Sequence, residues 1–213
     1  MLPDASRAGA APQWIGYAGV EDVDAAAARA ERLGGTVHVR PADLPGASRF
    51  SIVADPQMAI LGLIEGGGRG QGAPALPGGN GRVAWHELLA SGWEEAFAFY
   101  SALLGWKKAD ALNSALGTYQ QFSAGTETIG GMFTKPEILP FPFWLYYFSV
   151  PDIEPAMKRV NAGGGRVLFG PIAVQSGARA VQCQDPQGAV FGLADSGLRI
   201  SVACYSPRSQ AQR

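Results

Sequence analysis

The chain has 213 residues, 47% of them hydrophobic and 16% charged, with a formal net charge of −1. That is the make-up of an ordinary globular chain with room for one large domain or two small ones, and it carries no basic footprint for nucleic acid. No apolar run approaches the ~18 to 20 residues of a membrane-spanning helix. Residues 1–12 lack the basic start and apolar centre of a secretory signal. Two cysteines, Cys183 and Cys204, are too few for a disulfide framework, so a reduced cytoplasmic setting is expected.

Residues 1–12 are small, polar and aperiodic and are expected to form a loose tail. Trp14 to Val20 has the alternation of a strand, Asp22 is placed to cap a helix over Val23 to Leu33, and Gly34-Gly35 stops it. Thr36 to Val39, Arg49 to Ala54 and Ala59 to Ile64 are apolar runs separated by Pro41, Pro45-Gly46 and Asp55-Pro56, the punctuation of three strands. Residues 13–65 therefore spell one βαβββ unit. Gly66 to Arg82, rich in Gly and Pro, is a linker.

A second βαβββ unit follows with a different sequence. Val83 to Ala90 is a strand, Ser91 and Glu94 have capping-box spacing, and Phe97, Tyr100 and Leu104 give the helix one apolar stripe before Gly105 ends it. Trp106 to Asp110, Thr118 to Ser123 and Thr128 to Thr134 supply its three strands. The third unit runs from Phe143 to Asp195, with a helix from Asp152 to Ala162 that accommodates Pro155 in its first turn. Ile200 to Tyr205 is a candidate edge strand in a C-terminal tail over 197–213.

The third unit repeats the first. Trp14-Ile15-Gly16-Tyr17 returns as Trp144-Leu145-Tyr146-Tyr147, and Asp55-Pro56-Gln57 returns as Asp185-Pro186-Gln187, all at an offset of 130 residues and without a gap. Such self-similarity marks an internal structural repeat.

Paired βαβββ units with this helix motif, Trp85-His86-Glu87-Leu88 through Phe99-Tyr100 to Leu104-Gly105-Trp106, and with two Asp-Pro-Gln turns before a last strand, resemble the vicinal-oxygen-chelate superfamily. That is the glyoxalase, bleomycin-resistance and extradiol-dioxygenase group, and the likeness is to its tandem bacterial members. The resemblance implies an α+β fold of three βαβββ modules whose mixed sheets curl around a cavity. It implies a complete paired domain over residues 83–196 and a single half-domain over 13–65, as if the first module of a tandem protein were lacking.

Family metalloenzymes hold a divalent ion through first-strand His or Gln and last-strand Glu residues. Counted onto this sequence, the first-strand positions fall on Ile15, Trp85 and Leu145 and the last-strand positions on Gly62 and Gly192. None offers a donor, so the expectation is no metal and no other cofactor. His86 is one residue off and by strand alternation faces the helix, and His38 has no acidic or histidine partner in its module.

Two residues beyond each first-strand position stand Glu87, Tyr17 and Tyr147, with cavity-facing parity. A buried carboxylate at 87 must find a donor or be held protonated, which suits acid or base work or ligand binding. Phe122 under the helix turns Tyr119 and Gln121 inward. Trp85, Glu87, Tyr119, Gln121 and Tyr147 are the expected ligand-binding set, with Glu87 the candidate acid or base. The pattern points to a metal-free protein that binds a small hydrophobic or aromatic molecule. The alternative is a lyase, isomerase or dioxygenase with a relocated metal site at His86 and Glu87.

The unmatched sheet of residues 13–65 should carry Ile15, Tyr17, Ile60 and Ile64 on one face. Burial of such side chains is worth roughly 1.5 to 3 kcal/mol each, so a cover is expected. The expected cover is a second copy of the chain, in a homodimer through residues 13–65, and packing against the back of 83–196 is the alternative.

Overall fold

The computed structural model describes residues 12–44, 48–66, 81–114, 117–174 and 177–195. The candidate strand at Ile200 to Tyr205, the tails and most of the Gly/Pro linker lie outside these residues. The first unit consists of β1 (Tyr17–Val20), α1 (Val23–Arg32), β2 (Thr36–Asp43), β3 (Arg49–Ala54) and β4 (Ile60–Glu65). The second consists of β5 (Val83–Ala90), α2 (Trp93–Leu104), β6 (Lys107–Ser114), β7 (Gly117–Ala124) and β8 (Glu127–Thr134). The third consists of β9 (Phe143–Val150), α3 (Ile153–Ala162), β10 (Arg166–Ala173), β11 (Arg179–Gln184) and β12 (Val190–Asp195). The fold is mixed α+β, and no described helix is long and apolar enough to cross a membrane.

The repeat is structural. α1 and α3, β2 and β10, β3 and β11, and β4 and β12 have equal lengths at the offset of 130. Asp22 and Asp152 cap the two helices, accepting from Ala25 N and Glu154 N respectively. In both Asp-Pro-Gln turns the aspartate Oδ1 accepts two backbone N–H groups, from Gln57 and Ala59 in one and from Gln187 and Ala189 in the other, all at 2.9 Å. Only β1 departs, being four residues long where β9 has eight.

The first unit makes its own four-stranded sheet in the order β1-β4-β3-β2. The other two join into one eight-stranded sheet, β10-β11-β12-β9-β5-β8-β7-β6, through the antiparallel pair β5 and β9. Pro41 was expected to break its strand, yet β2 runs on to Asp43. It can do so because β2 is an edge strand with register shifts between Val37 and Ala42, where a missing N–H is tolerated.

One face of residues 13–65 is covered from within the chain, but not the expected one: Tyr17 on the face of Ile15, Ile60 and Ile64 stays exposed, and the opposite face is buried. Ala30, Val53, Leu61 and Leu63 share one buried cluster with Leu88, Phe97, Phe99, Tyr100, Phe122 and Trp144, so the helix-bearing face of the first sheet lies on the helix-bearing face of the second. α2 is consequently buried beyond a single stripe: Phe99 lies against Gly35, where an added Cβ would come within 3.1 Å of the ring.

Polar groups also cross this seam. The Tyr100 hydroxyl donates to Asp55 Oδ2 at 3.1 Å and accepts from Trp144 Nε1 at 3.1 Å. The expected capping box at Ser91 and Glu94 does not form: the N-cap is Gly92, with no side-chain cap of its own. Gln57 replaces it from the other half, its Oε1 accepting from Ser91 N at 2.7 Å and Gly92 N at 3.1 Å while its Nε2 donates to Gly92 O at 2.8 Å. Its repeat counterpart Gln187 is exposed.

Because Gln57 satisfies the start of a helix in the other half, Gln57→Ala should cost about 1 to 2 kcal/mol in denaturant unfolding, while Gln187→Ala should change it by less than about 0.5 kcal/mol. Burial raises the Asp55 carboxyl above its ordinary value, against the lowering effect of its hydrogen bonds. A raised folded pKa means the folded state binds the proton more tightly than the unfolded one. The associated stabilisation is complete below about pH 4 and is lost as pH rises through the folded value. Urea midpoints measured upward from about pH 4 should therefore fall more steeply for the native chain than for Asp55→Asn.

Candidate functional site

Alternation along β5 sorts its side chains onto two faces. Leu88 and Ala90 enter the helix-side core, while Trp85 and Leu89 enter a separate cluster on the other face with Tyr119, Phe133, Leu145, Tyr147 and Ala180. Glu87 shares the parity of Trp85, and its register partners are Gly131 on β8 and Leu145 on β9. Gln121 faces Gly131 from β7. The five residues Trp85, Glu87, Tyr119, Gln121 and Tyr147 thus come together on one face, all buried.

Their polar atoms form a chain that ends on the carboxylate from both sides. Trp85 Nε1 donates to the Tyr119 hydroxyl at 2.8 Å, and that hydroxyl donates to Glu87 Oε1 at 3.0 Å. From the third unit, Gln182 Nε2 donates to the Tyr147 hydroxyl at 3.1 Å, which donates to Glu87 Oε2 at 3.1 Å. The two carboxyl oxygens are addressed by two different modules, and each tyrosine hydroxyl also accepts a hydrogen bond, which strengthens its own donation to Glu87. Gln182 is absent from the sequence-derived set. Its parity on β11 was readable, but its reach to Tyr147 depends on how the sheet curls.

A second feature escaped the sequence: each inward tyrosine lies flat over a glycine on a neighbouring strand. A Cβ at Gly192 would stand 2.2 Å from Tyr147 Cδ1, one at Gly131 would stand 2.2 Å from Tyr119 Cε1, and one at Gly62 would stand 2.4 Å from Tyr17 Cδ1. Glycine within a strand signals such close approach. Gly62 and Gly192 are the positions from which the superfamily's metalloenzymes extend a last-strand carboxylate, and here the tyrosine ring takes that space.

The donor set for a family metal does not fit. Trp85, Leu145 and Gly192 bring no ligating atom, and no three His, Cys, Asp or Glu side chains gather among the described residues. His86 lies on the face opposite Glu87. Its Nδ1 is 2.8 Å from Ile129 O, its ring meets Tyr146 edge-on at 5.9 Å, and burial lowers its pKa. Since a carbonyl only accepts, Nδ1 carries the proton. His86 and Glu87, the pair of the alternative relocated site, therefore point to opposite faces of one strand. His38 is exposed on β2. Cys183 is buried, its thiol pushed up to about 11 by desolvation, a packing residue rather than a nucleophile.

Two βαβββ units sharing one sheet around an inward cluster of this kind define a glyoxalase-type fold. Residues 82–193 match the family profile of the Glyoxalase/Bleomycin resistance protein/Dioxygenase superfamily, and the chain belongs to that superfamily. It is 32% identical over 192 residues to CFP32 of Mycobacterium tuberculosis, a protein provisionally named a glyoxylase, spanning 90% of this chain and 73% of that one. It is 31% identical over 192 residues to DnrV of Streptomyces peucetius, an anthracycline biosynthesis protein, spanning 85% of this chain and 65% of that one. Among solved structures, the Mn(II)-bound glyoxalase from Novosphingobium aromaticivorans superposes with a TM-score of 0.62 at 15% identity, over 87% of this chain and 63% of that one. A homoprotocatechuate 2,3-dioxygenase from B. fuscum does so with a TM-score of 0.60 at 15% identity, over 93% and 60%. At these identities the structural likeness establishes the fold alone. This chain spans about two thirds to three quarters of the length of the sequence relatives.

The tyrosine–glycine contacts carry a graded prediction. Gly192→Ala drives a methyl into a ring held by Glu87 and Gln182, and should cost about 2 to 3 kcal/mol. Gly62→Ala should cost less than half as much, because the Tyr17 ring is half exposed and has room to swing away. Thermal unfolding of the two variants side by side checks the order.

Proposed function

We propose that this chain is a small-molecule binding member of its superfamily that works without a metal ion of its own. It takes a hydrophobic or aromatic compound on the inward face of residues 83–195. The observation that supports the reading most is the convergence of Trp85, Tyr119, Tyr147 and Gln182 on the Glu87 carboxylate, at the place where metalloenzymes of this fold assemble their ligands. Trp85 and Tyr119 supply flat apolar walls, and Glu87, Gln121 and Tyr147 supply polar groups that fix orientation. That is the usual make-up of a ligand site. An incoming hydroxyl or N–H would exchange for a tyrosine hydroxyl as donor to Glu87, so the carboxylate is the anchor and also the group able to take up a proton.

One relative is named an anthracycline biosynthesis protein, and an aromatic-walled face suits an aromatic compound. Whether a bound compound is also converted turns on Glu87, the candidate acid or base on that face among the described residues.

A thermal-shift screen of small aromatic and dicarbonyl compounds, followed by calorimetry on any that bind, tests the reading. Glu87→Gln keeps the shape but removes the charge, and should weaken binding about 10-fold or more, since a hydrogen bond to a charged group is worth about 1.5 to 3 kcal/mol. Elemental analysis of protein purified without added metal should find no stoichiometric Mn, Fe, Ni or Zn. A stoichiometric ion, or binding indifferent to Glu87→Gln, would end this reading.

A further inference from the structure

Three equivalent positions meet on the face of the eight-stranded sheet opposite Glu87. Ile15, Trp85 and Leu145 each stand seven residues before a helix N-cap, at Asp22, Gly92 and Asp152, so Gly16, His86 and Tyr146 correspond in the three units. His86 and Tyr146 are register partners across β5 and β9, with their rings edge to face at 5.9 Å. Gly16 lies against Tyr146: an added Cβ would come to 2.6 Å from its ring. Glycine at this position therefore lets the Tyr146 ring stand as a prop between the two sheets. The prop is steric, because its hydroxyl is the one buried side-chain polar atom without a hydrogen-bond partner among the described residues.

Beside the prop the sheets part into a cleft of about 580 Å³. That volume lies within the ~300 to 1,000 Å³ of small-molecule pockets. Trp14, Trp106, Trp144 and Phe148 line it together with His86. Trp106, Phe148 and His86 are half-buried and Trp14 is 44% exposed, so ring surface from several elements stays open in one place. A contiguous open patch of this kind marks a binding surface. Among the described residues no charged side chain lines the cleft, so a charged occupant would be desolvated without a partner. The cleft suits a neutral molecule.

His86 supplies the polar contact. Its Nδ1–H is spent on Ile129 O at 2.8 Å, which leaves Nε2 as a bare acceptor with no partner among the described residues. Burial lowers the pKa of the ring, so it stays neutral near pH 7 and Nε2 keeps its lone pair. An acceptor set among aromatic walls selects a flat ring system that carries a donor.

We infer that this cleft is a second ligand site, for a neutral planar aromatic molecule bearing a hydroxyl or a ring N–H. The donor goes to His86 Nε2, and the rings lie among Trp14, Trp106 and Phe148. Because His86 and Glu87 point to opposite faces of β5, the cleft is separate from the Glu87 face and the inference does not depend on the function proposed for that face.

The probes are 2-naphthol and its donor-free counterpart 2-methoxynaphthalene, titrated by calorimetry into the full chain and into its Glu87→Gln variant. Both proteins should bind 2-naphthol with affinities within about 2-fold of each other, and NMR should show magnetisation transfer from the bound probe to the Trp106 indole protons. Ala124→Phe puts a ring into the cleft from the end of β7 and should weaken both probes about 10-fold or more. Leu104→Trp fills it from α2, and stands in if the first variant melts more than about 5 °C below the parent. His86→Phe should weaken 2-naphthol about 5-fold, the worth of one hydrogen bond, and leave 2-methoxynaphthalene within about 2-fold. No binding of 2-naphthol at millimolar concentration, or binding that both filling variants leave intact, overturns the site. Equal loss of both probes in His86→Phe overturns the assignment of the donor to Nε2. Binding lost in Glu87→Gln but kept in the filling variants would put the probe on the Glu87 face, overturning this inference while supporting the other reading.

Discussion

The antiparallel pairing of β5 with β9 is the contact on which the rest of this structure depends. It joins two βαβββ units into one sheet, and it sets Trp85 opposite Tyr147 and Glu87 opposite Leu145. Glu87 can then be reached by hydroxyls from both units. Without the pair, Glu87 and Tyr147 belong to separate modules, and a buried carboxyl group on a central strand would lose one of its hydrogen-bond partners at a cost of about 1 to 3 kcal/mol. The same pair lengthens β9, aligns Trp144 with Tyr100, and so carries its influence through to the seam with the first unit.

The seam with the first unit combines apolar and polar contacts. Its apolar part joins Leu61 and Leu63 to Phe97 and Trp144, and its polar part is specific where apolar contact is not. Asp55 bonds its own turn and Tyr100, while Gln57 caps a helix that lacks a capping side chain. The repeat copy uses the same Asp-Pro-Gln turn for its local purpose only, with Gln187 exposed. One motif has therefore been put to two uses, and the difference lies wholly in what faces it.

The tyrosine–glycine contacts tie fold to chemistry. A strand glycine gives up side-chain packing, and here each is compensated by an aromatic ring from the adjacent strand. At Gly192 the arrangement occupies the space from which a carboxylate would approach a metal. The inward face is thus organised around a carboxylate two residues further along the first strand.

Much of this was legible in the sequence. The offset of 130 residues, the helix caps at Asp22 and Asp152, the stop at Gly105 and the inward parity of Trp85, Glu87, Tyr119, Gln121 and Tyr147 follow from local periodicity and turn chemistry, which act within a few residues. The absence of donor side chains at the five family ligand positions is likewise a property of the sequence. The tertiary structure decided what depends on contacts between distant segments. It gave the capping of α2 to Gln57 rather than Ser91, took β2 through Pro41 at a sheet edge, set Gln182 on Tyr147, and laid the first unit against the back of the others. It also made two nearly identical stretches differ, β9 extending over eight residues and β1 over four, because a strand's length is fixed by the neighbours that bond it and not by its own side chains.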